Sequence, residues 1–280
     1  NEYFADGMTE EILNALAKVP DLRVASRTSS FAFKGKVQDV LQIADELRVD
    51  TVVEGSVRKA QNRVRVTAQL INADDGYHLW SETYDRDLED IFKVQDEIAR
   101  SIVDALKLEL VGEEKAHLVS PRTDDVEAYT LYLEGRFFFN RFQEADLRRS
   151  LDLYAEALKR DPQFGRAWAG IADTWMQLAD DWVAPEKAYP EAKAAAERAI
   201  ELDDSLAEAH TARGKVLGWF DWDFDGAELA LRRAVASNPR YADAHWGLAS
   251  ILPANGQMEG AIEEARATLA LDPLSGIFSY

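Results

Sequence analysis

Apolar residues recur at helical spacing in the first twenty positions, where Met8, Ile12, Leu16 and Val19 form one stripe. Asp6 stands where an N-cap belongs, and Pro20 where a helix stops. LRVASR (22–27) then alternates like a short strand, and SSFAFKGK reads as a loop punctuated by Gly35. Val40, Ile43, Ala44 and Leu47 make a second helical stripe, with Asp39 as its cap. The clearest strand signal follows. TVVEGSVRKA and RVRVTAQLINA flank Gln61-Asn62, with Val64, Val66, Ala68 and Leu70 on one face and Arg65, Thr67 and Gln69 on the other. Asp74-Asp75-Gly76 turns the chain into a third strand of this sheet, YHLWSETYD, whose alternation puts His78, Trp80, Glu82 and Tyr84 on one face. Asp85 to Asp90 lead into a long amphipathic helix carrying Ile91, Val94, Ile98, Ile102, Ala105 and Leu106, with Asp87 or Asp90 placed to cap it. This order predicts an α+β domain over 1–115, a mixed sheet with helices on one face and a polar face left to water or a partner.

Past a linker at 116–123 the pattern changes to repeats. ALKRDP (157–162), AIELDD (199–204), AVASNP (234–239) and LALDP (269–273) each close an alanine-rich helix ahead of a new helix start. AWAGIADTW (167–175), AHTARGKVL (209–217) and AHWGLASIL (244–252) sit equivalently. A period near ~34 residues is the mark of a helical solenoid. Small residues let paired helices approach, and large ones fill the gaps between repeats. The prediction is an all-α region over 124–280 with units at 124–162, 163–204, 205–239 and 240–273. DDWVAPEKAYPEA is expected to swell the second unit between its helices, and Pro253 to interrupt the first helix of the last.

Composition narrows the function classes. The chain of 280 residues carries 51 acids against 32 bases, a net charge of −19. Residues 123–280 hold 28 of those acids and 16 of the bases, so neither half offers the basic surface that phosphate backbones or anionic lipids demand. No apolar run reaches the ~18 residues of a spanning helix. The absence of cysteine removes disulfides, zinc–thiolate sites and cysteine nucleophiles. The chain opens on NEYFADG and ends on LDPLSGIFSY, which reads as a segment of a longer protein.

Candidate chemistry is sparse. DWDFDG (221–226) matches the start of a calcium loop, but Arg232 stands where the bidentate glutamate belongs. The four histidines, His78, His117, His210 and His245, form no zinc-binding pair, and His210 and His245 occupy equivalent repeat positions. Neither a nucleophile elbow nor a phosphate-binding glycine loop occurs. No catalytic residue, cofactor or metal is therefore expected. The acids of GYHLWSETYDRDLEDIF read as turn and capping residues, with His78 and Glu82 the one functional question left there.

Two resemblances sharpen this. YFADGMTEEILNALAKVPDLRVASRTSSFAFKGK, DELRVDTVVEGSVRK and HLWSETYDRDLEDIFKVQDEIA, in that order, resemble the TolB-amino-terminal-like (FlgO-like) domain, over residue 1 to about 110. That domain recurs in bacterial signalling proteins, joined to class III adenylate cyclase, winged-helix regulator or protein-kinase modules and followed by tetratricopeptide repeats. Its members usually open with an apolar strand before the YFADG block, which this sequence lacks. The second half is similar to tetratricopeptide (TPR) repeats, with Trp168, Ile171, Ala172 and Trp175 in the large and small slots of one unit, and Ala227, Leu231, Ala234 and Pro239 in the second-helix slots of another. The TPR resemblance implies a groove lined by the first helices, presenting Arg166, Asp173, Gln177, Glu208, Thr211, Lys215, Trp246 and Ser250 to a protein or peptide partner. That groove lacks the lysine and asparagine ladder used to clamp a terminal carboxylate. The expected function is a non-enzymatic interaction or sensory module of a larger bacterial signal-transduction protein. The alternatives are a ligand-sensing or catalytic N-terminal domain, or the regulatory segment of a class III adenylate cyclase whose catalytic domain lies outside this chain. Relatives often carry this region beyond a membrane helix, which implies a periplasmic position, with the cytoplasm as the other reading.

Overall fold

The computed structural model describes residues 2–17, 19, 22–106 and 123–275. The chain divides into two compact units, Asn1–Pro121 with Asp272–Gly276, and Arg122–Leu271 with Ile277–Tyr280. Pro20, His117 and positions 116–122 of the expected linker lie outside the described residues.

The first unit runs α1 (Glu2–Leu16), α2 (Arg27–Phe31), α3 (Val40–Leu47), β1 (Thr51–Ala60), β2 (Arg63–Asn72), β3 (His78–Asp87), a 3-10 turn (Leu88–Asp90) and α4 (Ile91–Ala105). The three strands form one antiparallel sheet in the order β1-β2-β3. The β1–β2 turn closes tightly from Ala60 to Arg63, with Gln61 at φ 54° in the left-handed region that such turns require. Val64, Val66, Ala68 and Leu70 of β2 are buried, as are Ile91, Val94, Ile98 and Ile102 of α4 and Phe4 and Met8 of α1. The alternation of β2 and the stripe of α4 thus meet in one core, with α1 and α4 packed on each other and on the sheet.

Three local expectations need correction. LRVASR joins no ladder among the described residues, so the sheet is purely antiparallel rather than mixed; the Ser26 side chain instead accepts from the Ser29 amide and caps α2, where a loop was expected. Asp6 is no cap. It lies inside α1, which starts at Glu2, and its carboxylate pairs with Lys34 Nζ at 2.6 Å. Asp87 and Asp90 sit at helix starts but make no side-chain capping bonds; Asp87 pairs with Arg63 and Asp90 with Lys93. Asp39 does cap α3, accepting from the Leu41 amide at 2.9 Å.

The second unit is a solenoid of helix pairs: α5 (Val126–Phe139) with α6 (Glu144–Arg160), α7 (Gly165–Asp181) with α8 (Pro185–Leu202), α9 (Ala207–Trp219) with α10 (Phe224–Ser237), and α11 (Ala242–Ile251) with α12 (Met258–Leu271). DDWVAPEKAYPEA is not an inserted loop. Helix α7 continues to Asp181, α8 begins at Pro185 in its favoured first-turn position, and Pro190 is absorbed inside α8. Pro253 lies in the α11–α12 connection, after α11 has already ended. Among the described residues no helix is long and apolar enough to cross a membrane.

Two devices recur in this unit. The first is a bulky side chain clasped by glycines from two successive repeats. A Cβ at Gly135 or Gly170 would lie 2.5 or 2.7 Å from the ring of Tyr154, and one at Gly214 or Gly247 would lie 2.6 or 2.7 Å from Leu231. Helix approach here depends on a missing methyl group. The second is a ring nitrogen closing each junction: Trp168 Nε1 donates to the Pro162 carbonyl (3.3 Å), His210 Nε2 to that of Asp204 (3.0 Å) and His245 Nε2 to that of Pro239 (2.9 Å). The equivalence of His210 and His245 is thus structural. Glu264 of α12 also holds His245, at 2.5 Å from Nδ1. Replacing His245 with leucine leaves the Pro239 carbonyl and Glu264 without this partner and is expected to lower stability by about 1–3 kcal/mol, measured by urea denaturation.

Candidate functional site

The first helices of the pairs touch in series, α5 to α7, α7 to α9 and α9 to α11, and so build one face from four repeats. The ring donors Trp168, His210 and His245 set its register. Two residues before them stand Arg166, Glu208 and Asp243; five residues after them stand Asp173, Lys215 and Ser250. Arg136 follows Gly135 on α5 as Lys215 follows Gly214 on α9. Charged side chains from separate repeats therefore converge.

Lys215 is the hub. Its ammonium donates to both carboxylate oxygens of Asp243 at 2.6 Å, and lies 4.9 Å from the Trp246 ring centroid and 5.6 Å from that of Trp219. The two indoles meet edge to face at 5.3 Å, an arrangement that suits a cation beside their negative faces. On the other side, Arg136 reaches Asp173 at 3.5 Å, with both side chains largely buried. Burial pushes the Asp173 carboxyl up to about 7, assisted by the charges of Asp243 and Glu208 and opposed by Arg136 and Lys215. Tyr241, just ahead of α11, has its hydroxyl held well above the ordinary value by burial and then by Asp173, Asp243 and Glu208. Glu208 has no hydrogen bond or ion pair among the described residues.

Of the residues expected from sequence, Asp173, Glu208, Lys215 and Trp246 fall in this cluster. Arg166 and Gln177 are half-buried on α7. Thr211 is buried, its hydroxyl donated to the Ala207 carbonyl, and Ser250 is exposed with its hydroxyl donated to Gly247. Arg136, Trp219, Tyr241 and Asp243 were missed. The repeat register was the available signal for two of them, since Arg136 matches Lys215 and Asp243 matches Glu208.

The other chemically rich stretch is structural in its contacts. Asp85 accepts from Arg63 and Arg65 across the wet face of the sheet, and Tyr84 donates to Glu82 at 2.5 Å. A register shift at Leu70/Ile71 pairs Trp80 with Leu70 but His78 with Ile71, so His78 leaves the face that carries Glu82. In DWDFDG, Asp223 caps α10 by accepting from the Gly226 amide, and Asp221 pairs with Lys193 at 2.5 Å. Among the described residues no three histidine or acidic side chains are grouped to hold a metal ion.

Comparison with known proteins agrees with the repeat architecture. A tetratricopeptide repeat family model matches residues 223–275. The chain is 40% identical over 223 residues to a putative adenylate cyclase 3 of Rhizobium meliloti, covering 78% of this chain and 37% of that protein. It is 23% identical over 241 residues to the transcriptional regulator HilA of Salmonella typhimurium, covering 85% of this chain and 42% of the regulator. Among solved structures, a thermophilic TPR protein of Thermus thermophilus aligns with 66% of this chain and 88% of its own at 18% identity and a TM-score of 0.44. The chain thus contains a tetratricopeptide repeat and is related by sequence to a putative adenylate cyclase and to a transcriptional regulator, spanning about two fifths of the length of each.

Proposed function

We propose that this chain is a non-enzymatic interaction module of a larger bacterial signal-transduction protein, in which the face of α5, α7, α9 and α11 is a groove for a protein or peptide segment. In this reading residues 1–115 are a TolB-amino-terminal-like domain, followed by a linker at 116–123 and repeats over 124–280. The observation that carries it is the polar cluster around Lys215, assembled from four repeats and holding a carboxylate, Glu208, that has no counter-ion among the described residues. Packing alone gives no reason to set charges there, since buried ion pairs seldom stabilise more than apolar residues of the same volume. A fold of stacked helix pairs presents such a face as an extended surface for partners.

Panning a displayed random peptide library on the chain tests this. Selected peptides are expected to lose at least about tenfold in affinity on Trp246→Ala, as for an aromatic anchor at the centre of an interface. Binding that survives Trp246→Ala and is lost in Glu82→Gln would move the function to the first unit.

A second reading has its own support. The 40% identity to a putative adenylate cyclase favours this chain as the regulatory segment of such an enzyme. Groove-binding peptides would then change cyclic AMP output of the full-length parent protein.

A further inference from the structure

We infer that the segment taken by this groove is basic, and that it places an arginine or lysine side chain against Glu208 and Asp173. The inference rests on the groove reading above and specifies its ligand.

The charge inventory is asymmetric. Around Asp173 the described charges include two further carboxylates, Glu208 and Asp243, and two cations, Arg136 and Lys215. Lys215 is committed to Asp243 through two short bonds, while Arg136 reaches Asp173 only at 3.5 Å. Glu208 has no ion pair among the described residues, and the Tyr241 hydroxyl nearby likewise has no hydrogen bond among them. A half-buried carboxylate without a partner is costly, and the arrival of a cation removes that cost. Arginine suits the place well, because its planar donors can serve Glu208, Asp173 and the Tyr241 oxygen together.

The surroundings favour the same occupant. Trp219 and Trp246 offer flat apolar surface for the stem of a long basic side chain. The excess of acids in residues 123–280 draws a basic segment in and repels an acidic one. A terminal carboxylate would meet Glu208 with like charge.

The test uses three pools of short labelled peptides, random except for a fixed central arginine, glutamate or leucine, titrated into the intact chain and read by fluorescence anisotropy. The arginine pool is expected to bind at least about tenfold tighter than the glutamate pool, the worth of one good ion pair. Glu208→Gln should remove most of that difference. Glu263→Gln, on the exposed surface of α12, should leave it intact. Asp173→Asn gives the same reading if Glu208→Gln fails to fold. Should the leucine or glutamate pool bind as tightly as the arginine pool, with binding lost in Trp246→Ala, the basic ligand is wrong and the groove stands. If no pool depends on Trp246, the groove itself fails, and the inference with it.

Discussion

Alanine at both Gly135 and Gly170 is expected to destabilise the helical unit by about 2–4 kcal/mol, although alanine is the better helix former by about 0.5–1 kcal/mol at each site. The reason is the ring of Tyr154. It is fully buried, and the two new methyl groups would arrive 2.5 and 2.7 Å from it, from α5 and from α7. Swinging aside is blocked, because Tyr132 packs on it at 5.9 Å between centroids and Phe164 backs Tyr132 at 5.1 Å. The cause can be isolated. In a Tyr154→Ala background the ring is gone, and alanine at Gly170 should then stabilise by about 0.5–1 kcal/mol through helix propensity alone. Urea denaturation of the four combinations measures the sign change, and a penalty that persists without the ring would contradict the clasp.

Asp173→Asn is expected to stabilise the chain at pH 8 and to do so much less at pH 5. A carboxyl raised from its ordinary value of 3.8 to about 7 holds its proton more tightly in the folded chain than in the unfolded one. Folded stability therefore falls as pH rises from about 4 to about 7, and the loss is constant above that. Asparagine keeps the shape and removes the loss. The full shift corresponds to about 4 kcal/mol. Arg136 loses one of its partners in the variant, which returns part of this and leaves a gain on the order of 2–3 kcal/mol above pH 7. The groups that act most strongly on Asp173 among the described residues are Arg136 on α5, Glu208 and Lys215 on α9, and Asp243 at the start of α11, with Tyr241 just ahead of it. A gain independent of pH would show that Asp173 is ionised throughout and that the cluster is already balanced. The predicted gain matters for function, because it means that the solenoid would be more stable without one of the charges it keeps.

The repeated helices were legible in sequence because small residues recur where helices must approach, and the hairpin because β2 alternates without a break. What was not legible depends on register. Alternation alone cannot see a bulge, so it placed His78 with Glu82 when the shift at Leu70/Ile71 separates them. LRVASR alternates as a strand does, but the Ser26 cap starts α2 and the segment finds no ladder. In DDWVAPEKAYPEA two prolines suggested a loop, yet Pro185 starts a helix and Pro190 is tolerated near its beginning. At the candidate site, half of the cluster came from the TPR resemblance, which assigns the first helices to the groove. Of the rest, Arg136 and Asp243 needed the alignment of one repeat on the next, since Asp243 meets Lys215 only across a repeat boundary.

A partner segment lying along the first helices of the repeats has a signature in hydrogen–deuterium exchange. The intact chain would be measured with and without a peptide selected from the library. Protection is predicted in α7, α9 and α11, and greatest around Lys215 and Trp246, where binding would quench local opening. Protection confined to β3 and α4, with the helical repeats unchanged, would contradict the groove.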